Sequence, residues 1–136
     1  MSSTPPSITL VTGCFSLTQY NGKCRDLNDI RERAKDLCSL PVYLVVYADE
    51  ESIDIWKEGR ELFGHTHLTE FRCIPHSEIW SFQFVDVVKA NRAKYWPTRD
   101  ERTCAESHLV CCNKFDFVLK VMDDNPFHTH YFGWID

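Results

Sequence analysis

A carboxylate at the end of a β-strand can hold a hard cation, and that cation can neutralise a phosphate. Asp136 is a carboxylate of this kind. It follows Tyr131-Phe132-Gly133-Trp134-Ile135, an aromatic and β-branched run that suits a buried strand. Asn125-Pro126 ahead of the run is a turn signal. Ligands of open α/β sheets gather outside the carboxyl ends of the strands, so Asp136 is the candidate metal ligand. Its ordinary reading is a polar residue that closes a strand. Asp49 ends a second strand signal. It can accept a hydrogen bond from a ribose hydroxyl or a base N–H, or it can cap the helix that follows. Gly13 ends a third and would let a ligand approach the backbone closely, although an ordinary strand-ending turn needs it equally. There is no Gly-x-Gly-x-x-Gly, so no Rossmann dinucleotide fingerprint is claimed.

Other groups are weaker signals. Arg99 and Arg102 lie in a charged loop and are secondary candidates for a diphosphate. His65-Thr66-His67 and His128-Thr129-His130 could each turn two imidazoles to one side of a strand, but no carboxylate or thiol stands at ligand spacing. The seven cysteines include no Cys-x-x-Cys pair, which argues against zinc. They read as mostly reduced, partly buried thiols, with Cys111 in the core.

The elements that must position these groups alternate. Residues 7–17 read as a strand. Asp26 can cap a helix over 27–39, with Leu27, Ile30, Ala34, Leu37 and Cys38 on one face. Residues 42–47 are an unbroken apolar run, as expected of a central parallel strand covered on both faces. A helix is expected over 51–63, stopped by Gly64. A short strand over 69–74 comes next, and then a largely helical stretch over 78–95 with Trp80, Phe84, Val87, Val88 and Tyr95 on an aromatic face. Trp96-Pro97-Thr98 breaks it. One long helix is expected over 104–122, with Cys111, Phe115, Val118 and Met122 as its stripe. The final strand follows. This order predicts a single α/β domain over residues 1–136: a mostly parallel sheet of about four strands with helices on both faces.

Trp96-Pro97-Thr98, Glu106-Ser107, Asn113-Lys114 and Phe132-Gly133-Trp134-Ile135-Asp136, in that order, resemble the HtrL/YibB-like family, whose members are read as glycosyltransferases. The likeness covers most of the chain and is best from Trp80 onward. It implies the N-terminal, nucleotide-binding half of a GT-A-like enzyme. It implies that Lys114 matches the family's lysine ahead of the Trp-Ile-Asp strand and meets the diphosphate. It also implies that Asp136 belongs to an Asp-x-Asp-like motif for Mn or Mg. The donor would be a nucleoside-diphosphate sugar, held near Gly13, Asp49, Arg99 and Lys114. Because the sequence ends at Asp136, the half that binds the glycan or other acceptor is expected in a longer parent. The competing reading is a catalytically silent or truncated α/β binding module.

Composition narrows the partners. With 43% hydrophobic and 13% aromatic residues the chain is globular, not disordered. A net charge of −5 argues against a nucleic-acid groove. No apolar run is long enough to span a membrane. Residues 1–7 lack the charged and apolar regions of a signal peptide, which points to the cytoplasm, with a lumenal or secreted setting kept open for a fragment.

Overall fold

The computed structural model describes residues 7–95 and 101–136. Four strands form one sheet: β1 (Ile8–Cys14), β2 (Tyr43–Ala48), β3 (Thr69–Cys73) and β4 (Tyr131–Trp134). Their order is β3-β2-β1-β4, and every pairing is parallel. Parallel pairing requires crossovers, and helices supply them. They are α1 (Leu27–Cys38), α2 (Ile53–Leu62), α3 (Val85–Tyr95), α4 (Ala105–Cys112) and α5 (Lys114–Asp124).

Two cores lie on opposite faces of the sheet. On one, Ile30, Ala34, Leu37 and Cys38 of α1 meet Ile55 and Trp56 of α2 over Leu44 and Val46. On the other, Phe117 and Val121 of α5 pack with Ile79 over Val11, Val45 and Tyr47. Alternate β2 residues thus serve opposite cores, and Leu44, Val45 and Val46 are each fully buried. That is the physical content of the unbroken apolar run at 42–47.

Local chemistry sets the helix ends. Asp26 caps α1 in a reciprocal capping box with Asp29. Gly64, with φ of +73°, takes the left-handed turn after α2. Asn125, with φ of 40°, does the same after α5, and its side chain holds both the N–H and the carbonyl of Thr129.

Four expectations need correction. The long helix over 104–122 is two helices. Asn113 separates them; it is fully buried and its Oδ1 accepts from the backbone N–H of Ser81. Most of the expected stripe also faces away from the sheet, and only Val118 of it packs against the second core. Phe115, Met122 and Cys111 are exposed, and Phe117 and Val121 face the sheet instead. β4 is an edge strand, and Tyr131 is exposed on it. The stretch over 78–95 is a run of short 3₁₀ turns leading into α3, and Trp80, Phe84, Val87 and Tyr95 remain exposed.

All seven cysteines are free thiols. Cys24 and Cys38 are buried, Cys14 and Cys104 half-buried, and Cys73, Cys111 and Cys112 exposed.

Arg60 of α2 is fully buried, and among the described residues no carboxylate pairs with it. Its guanidinium donates to the carbonyls of Cys38 at 3.1 Å, Leu40 at 2.7 Å and Val42 at 2.8 Å, and to Thr69 Oγ1 at 2.7 Å. It thereby satisfies the end of α1, the turn into β2 and the start of β3 with one planar fork. Burial lowers its pKa. Arg60→Met keeps the volume but strands these acceptors. Hydrogen bonds to charged groups contribute about 1.5–3 kcal/mol each and are not additive, so a loss of about 3 kcal/mol is expected. Urea unfolding of both proteins measures it; a change below about 1 kcal/mol would contradict the role given to Arg60.

Candidate functional site at the carboxyl edge of the sheet

The chain moves from β1 outward to β2 and β3, then crosses back to add β4 on the other side of β1. The topological switch point therefore lies between β1 and β4, where a doubly wound sheet leaves a crevice at its carboxyl edge. Val11 pairs with Trp134, and the Ile135 N–H donates to the Val11 carbonyl, so Asp136 emerges level with Gly13.

Lys114 is the first residue of α5, and Asp136 is the second residue beyond β4. The Lys114 Nζ donates to Asp136 Oδ2 at 3.3 Å and lies 5.7 Å from the centroid of the Trp134 ring. The Trp134 Nε1–H donates to Asp136 Oδ1 at 2.5 Å. The indole bond comes first among the causes that hold Asp136 below the usual carboxylate range; the contact and charge of Lys114 add to it, as does the charge of Arg25. A lowered pKa means that Asp136 keeps its negative charge further into acid than a free aspartate does.

Packing explains why Lys114 reaches this edge. Phe117, three residues on, is fully buried and stacks with Tyr47 at 4.3 Å, Phe15 at 5.9 Å and Trp134 at 6.2 Å between centroids. Residues three apart share a helix face, so burying Phe117 turns Lys114 toward the strand ends. Gly13 belongs to the same assembly. A Cβ there would stand 3.0 Å from Trp134 Cη2, so the missing side chain makes room for the indole. The reading of Gly13 as an open approach to the backbone gives way to this one.

Asp49 lies elsewhere on the edge and does a different job. Its Oδ2 accepts from the Ser16 N–H at 2.7 Å and His76 Nε2 at 2.8 Å, and its Oδ1 accepts from the Ser52 N–H at 3.1 Å and Ser52 Oγ at 2.6 Å. A carboxylate has about four lone-pair sites, and here each oxygen is used twice. The side chain is buried, and the role is that of a cap for the turn into α2. The ribose reading of Asp49 is therefore corrected: its acceptors are spent inside the protein. β2 and β4 are separated by β1, which puts them roughly 10 Å apart, and the hydrogen bonds of Asp49 go to Ser16, Ser52 and His76.

Arg99 lies outside the described residues. The backbone carbonyl of Arg102 accepts from the Cys24 thiol at 3.3 Å, and the Cys24 and Cys104 sulfurs are 3.8 Å apart. Burial pushes the Cys14 thiol up to about 11, so no thiolate stands at the end of β1 at neutral pH. Among the described residues no group of three or more His, Cys, Asp or Glu side chains is arranged to hold a metal. Asp136 alone fits a cation that arrives with a diphosphate, because Mg and Mn are commonly held by one carboxylate plus phosphate oxygens. It does not fit a resident ion held by protein ligands only.

Sequence reasoning missed Arg25, His76 and Tyr20. Arg25 sits one residue ahead of the α1 cap, and only the fold brings its charge to Asp136. His76 lies in a 3₁₀ turn after β3, with no motif to mark it. Its Nδ1 is 2.6 Å from the Tyr20 hydroxyl.

No family model, curated protein or solved structure matches this chain.

Trp134→Phe removes the indole donor and should raise the Asp136 pKa toward the ordinary range. Lys114→Ala, which removes both a contact and a charge, should raise it as well. Carboxyl ¹³C titration by NMR reads both, and an unchanged pKa in Trp134→Phe would refute the bond.

Proposed function

We propose that this chain is the donor-binding half of a glycosyltransferase, taking a nucleoside-diphosphate sugar at the switch point between β1 and β4. The observation that carries the reading is the pairing of Lys114 with Asp136 at that crevice, with Arg25 near enough to influence the same carboxylate. A lysine paired with an exposed acid, with the charge of Arg25 felt at the same carboxylate, suits an anion of higher charge than a carboxylate. The Lys114–Asp136 contact is long at 3.3 Å, and the Asp136 side chain is 73% exposed, so the pair is weak and open to exchange. A diphosphate can take Lys114 as a point-charge partner and leave Asp136 to face a cation. A Mn or Mg ion entering with the diphosphate would supply charge neutralisation as the leaving group departs. Trp134 keeps Asp136 ionised and fixed in direction, and Phe117 holds Lys114 in place.

A second reading is a binding module without catalysis. It is favoured by the absence, among the described residues, of an acidic or imidazole cluster able to hold a metal.

Calorimetry with a nucleoside diphosphate, with and without Mn, tests the site. Lys114→Ala should weaken binding by about 1.5–3 kcal/mol, the contribution of a charge-assisted contact. Asp136→Ala should remove the increment that Mn provides. Equal affinity in wild type and both variants would end the assignment. Binding without turnover of any nucleotide sugar would favour the silent module.

A further inference from the structure

We infer that Tyr20 is a nucleophilic side chain served by a general base, His76, which Asp49 orients. The three form a carboxylate–imidazole–hydroxyl chain built from separate loops: Asp49 after β2, His76 after β3 and Tyr20 after β1. This is independent of the nucleotide reading, since none of the three contacts Lys114 or Asp136.

The geometry follows from the tautomer. Asp49 Oδ2 accepts from His76 Nε2 at 2.8 Å, and Ser16 and Ser52 fill the remaining lone pairs of the carboxylate. Neutral His76 thus carries its proton on Nε2 and turns the Nδ1 lone pair outward. Tyr20 places its hydroxyl 2.6 Å from that lone pair and donates to it. The hydrogen bond from Gln19 Nε2 to the same atom is long, at 3.5 Å. A nucleophile in hydrogen-bond reach of a base that a third group orients is the arrangement of an activated side chain.

The surroundings fit the role. The Asp49 and His76 side chains are only 10% and 14% exposed, so the dyad is shielded from water. Tyr20 is 40% exposed, so an incoming reagent can reach its oxygen. Partial burial raises the Tyr20 pKa, so the phenol keeps its proton until a base takes it. Phe82 lies edge-on to both Tyr20 and His76, and Phe15 edge-on to His76. That aromatic wall selects an activated acyl or sulfonyl group carried on an apolar or aromatic body.

In the step itself the Tyr20 oxygen attacks the electrophilic centre. The new O–acyl or O–sulfonyl bond forms as the bond to the leaving group breaks. The leaving group departs with that electron pair. The phenolic proton passes to His76 Nδ1, and Asp49 stabilises the imidazolium that results. Nothing is oxidised or reduced.

An aryl sulfonyl fluoride is the probe, with fluoride as leaving group and peptide mass spectrometry as the readout on the intact chain. Tyr131, at 66% exposed, is the internal reference. Tyr20 should be labelled faster than Tyr131 although it is less exposed, by about 10²-fold, the lower end for general-base assistance. His76→Gln keeps a hydrogen-bond acceptor but removes the base, and should bring Tyr20 down to the Tyr131 rate or below. The Tyr131 rate and a thermal melt report whether that variant is folded, and His76→Asn serves if it is not. Tyr20→Phe should lose the modified peptide. Tyr20 labelled no faster than Tyr131 in the wild type, or as fast in a folded His76 variant as in the wild type, would overturn the assignment.

Discussion

One buried carboxylate ties the carboxyl edge of this sheet together. Asp49 receives donors from the loop after β1, from the turn that starts α2 and from the 3₁₀ turn after β3. Each of those segments would otherwise leave a polar group facing protein with no partner, and an unpaired buried group costs roughly what a lost hydrogen bond costs or more. With Asp49 in place, three loops share one anchor. At the opposite end of the strands Arg60 performs the complementary task with the signs reversed, a cation gathering backbone carbonyls. The parallel sheet is thus clamped at one edge by an anion and at the other by a cation, and among the described residues Asp49 meets His76 but no lysine or arginine, and Arg60 no carboxylate.

Much of the architecture was legible because its signals were local. The run at 42–47 suited a strand covered on both faces, and the alternation of strand and helix patterns implied parallel pairing. The capping Asp26 and the stop at Gly64 act within a few residues. The misreadings arose where local pattern allowed two answers. α5 carries apolar residues on both sides, Phe117 and Val121 on one and Phe115, Leu119 and Met122 on the other. Helical periodicity marks both stripes equally, and only the sheet decides which is buried. Asn113 broke a helix that periodicity had run through, because its partner, Ser81, lies 32 residues away.

The candidate site divides in the same way. Asp136 and Asp49 were placed at the carboxyl edge by strand direction alone, which is a reliable inference in a parallel sheet. What their carboxylates face was not legible, since Ser16 and His76 reach Asp49 from distant segments and only the folded backbone turns the nearby Trp134 and Ser52 onto them. Lys114 entered only through resemblance. Its physical reason, the burial of Phe117 one turn later, needs the tertiary structure. Arg25 and Tyr20 sit in the loop after β1, where no periodicity exists to read.

The strand order has a consequence for when the Lys114–Asp136 pair comes into being. β1, β2 and β3 are neighbours in sequence and in space, and Arg60 and Asp49 knit them together with contacts drawn from residues 16–76. β4 reaches its place beside β1 only after the chain has passed through three further helices, and it docks on an edge with four paired positions. Closing so long a loop is slow relative to the local pairings that precede it. A lightly paired edge strand is also the element that opens most readily in the folded state. The crevice therefore rests on the most lightly paired edge of the sheet. Any ligand that bridges Lys114 and Asp136 would be felt as protection of the β4 amides against hydrogen exchange, while β2 would remain as it was.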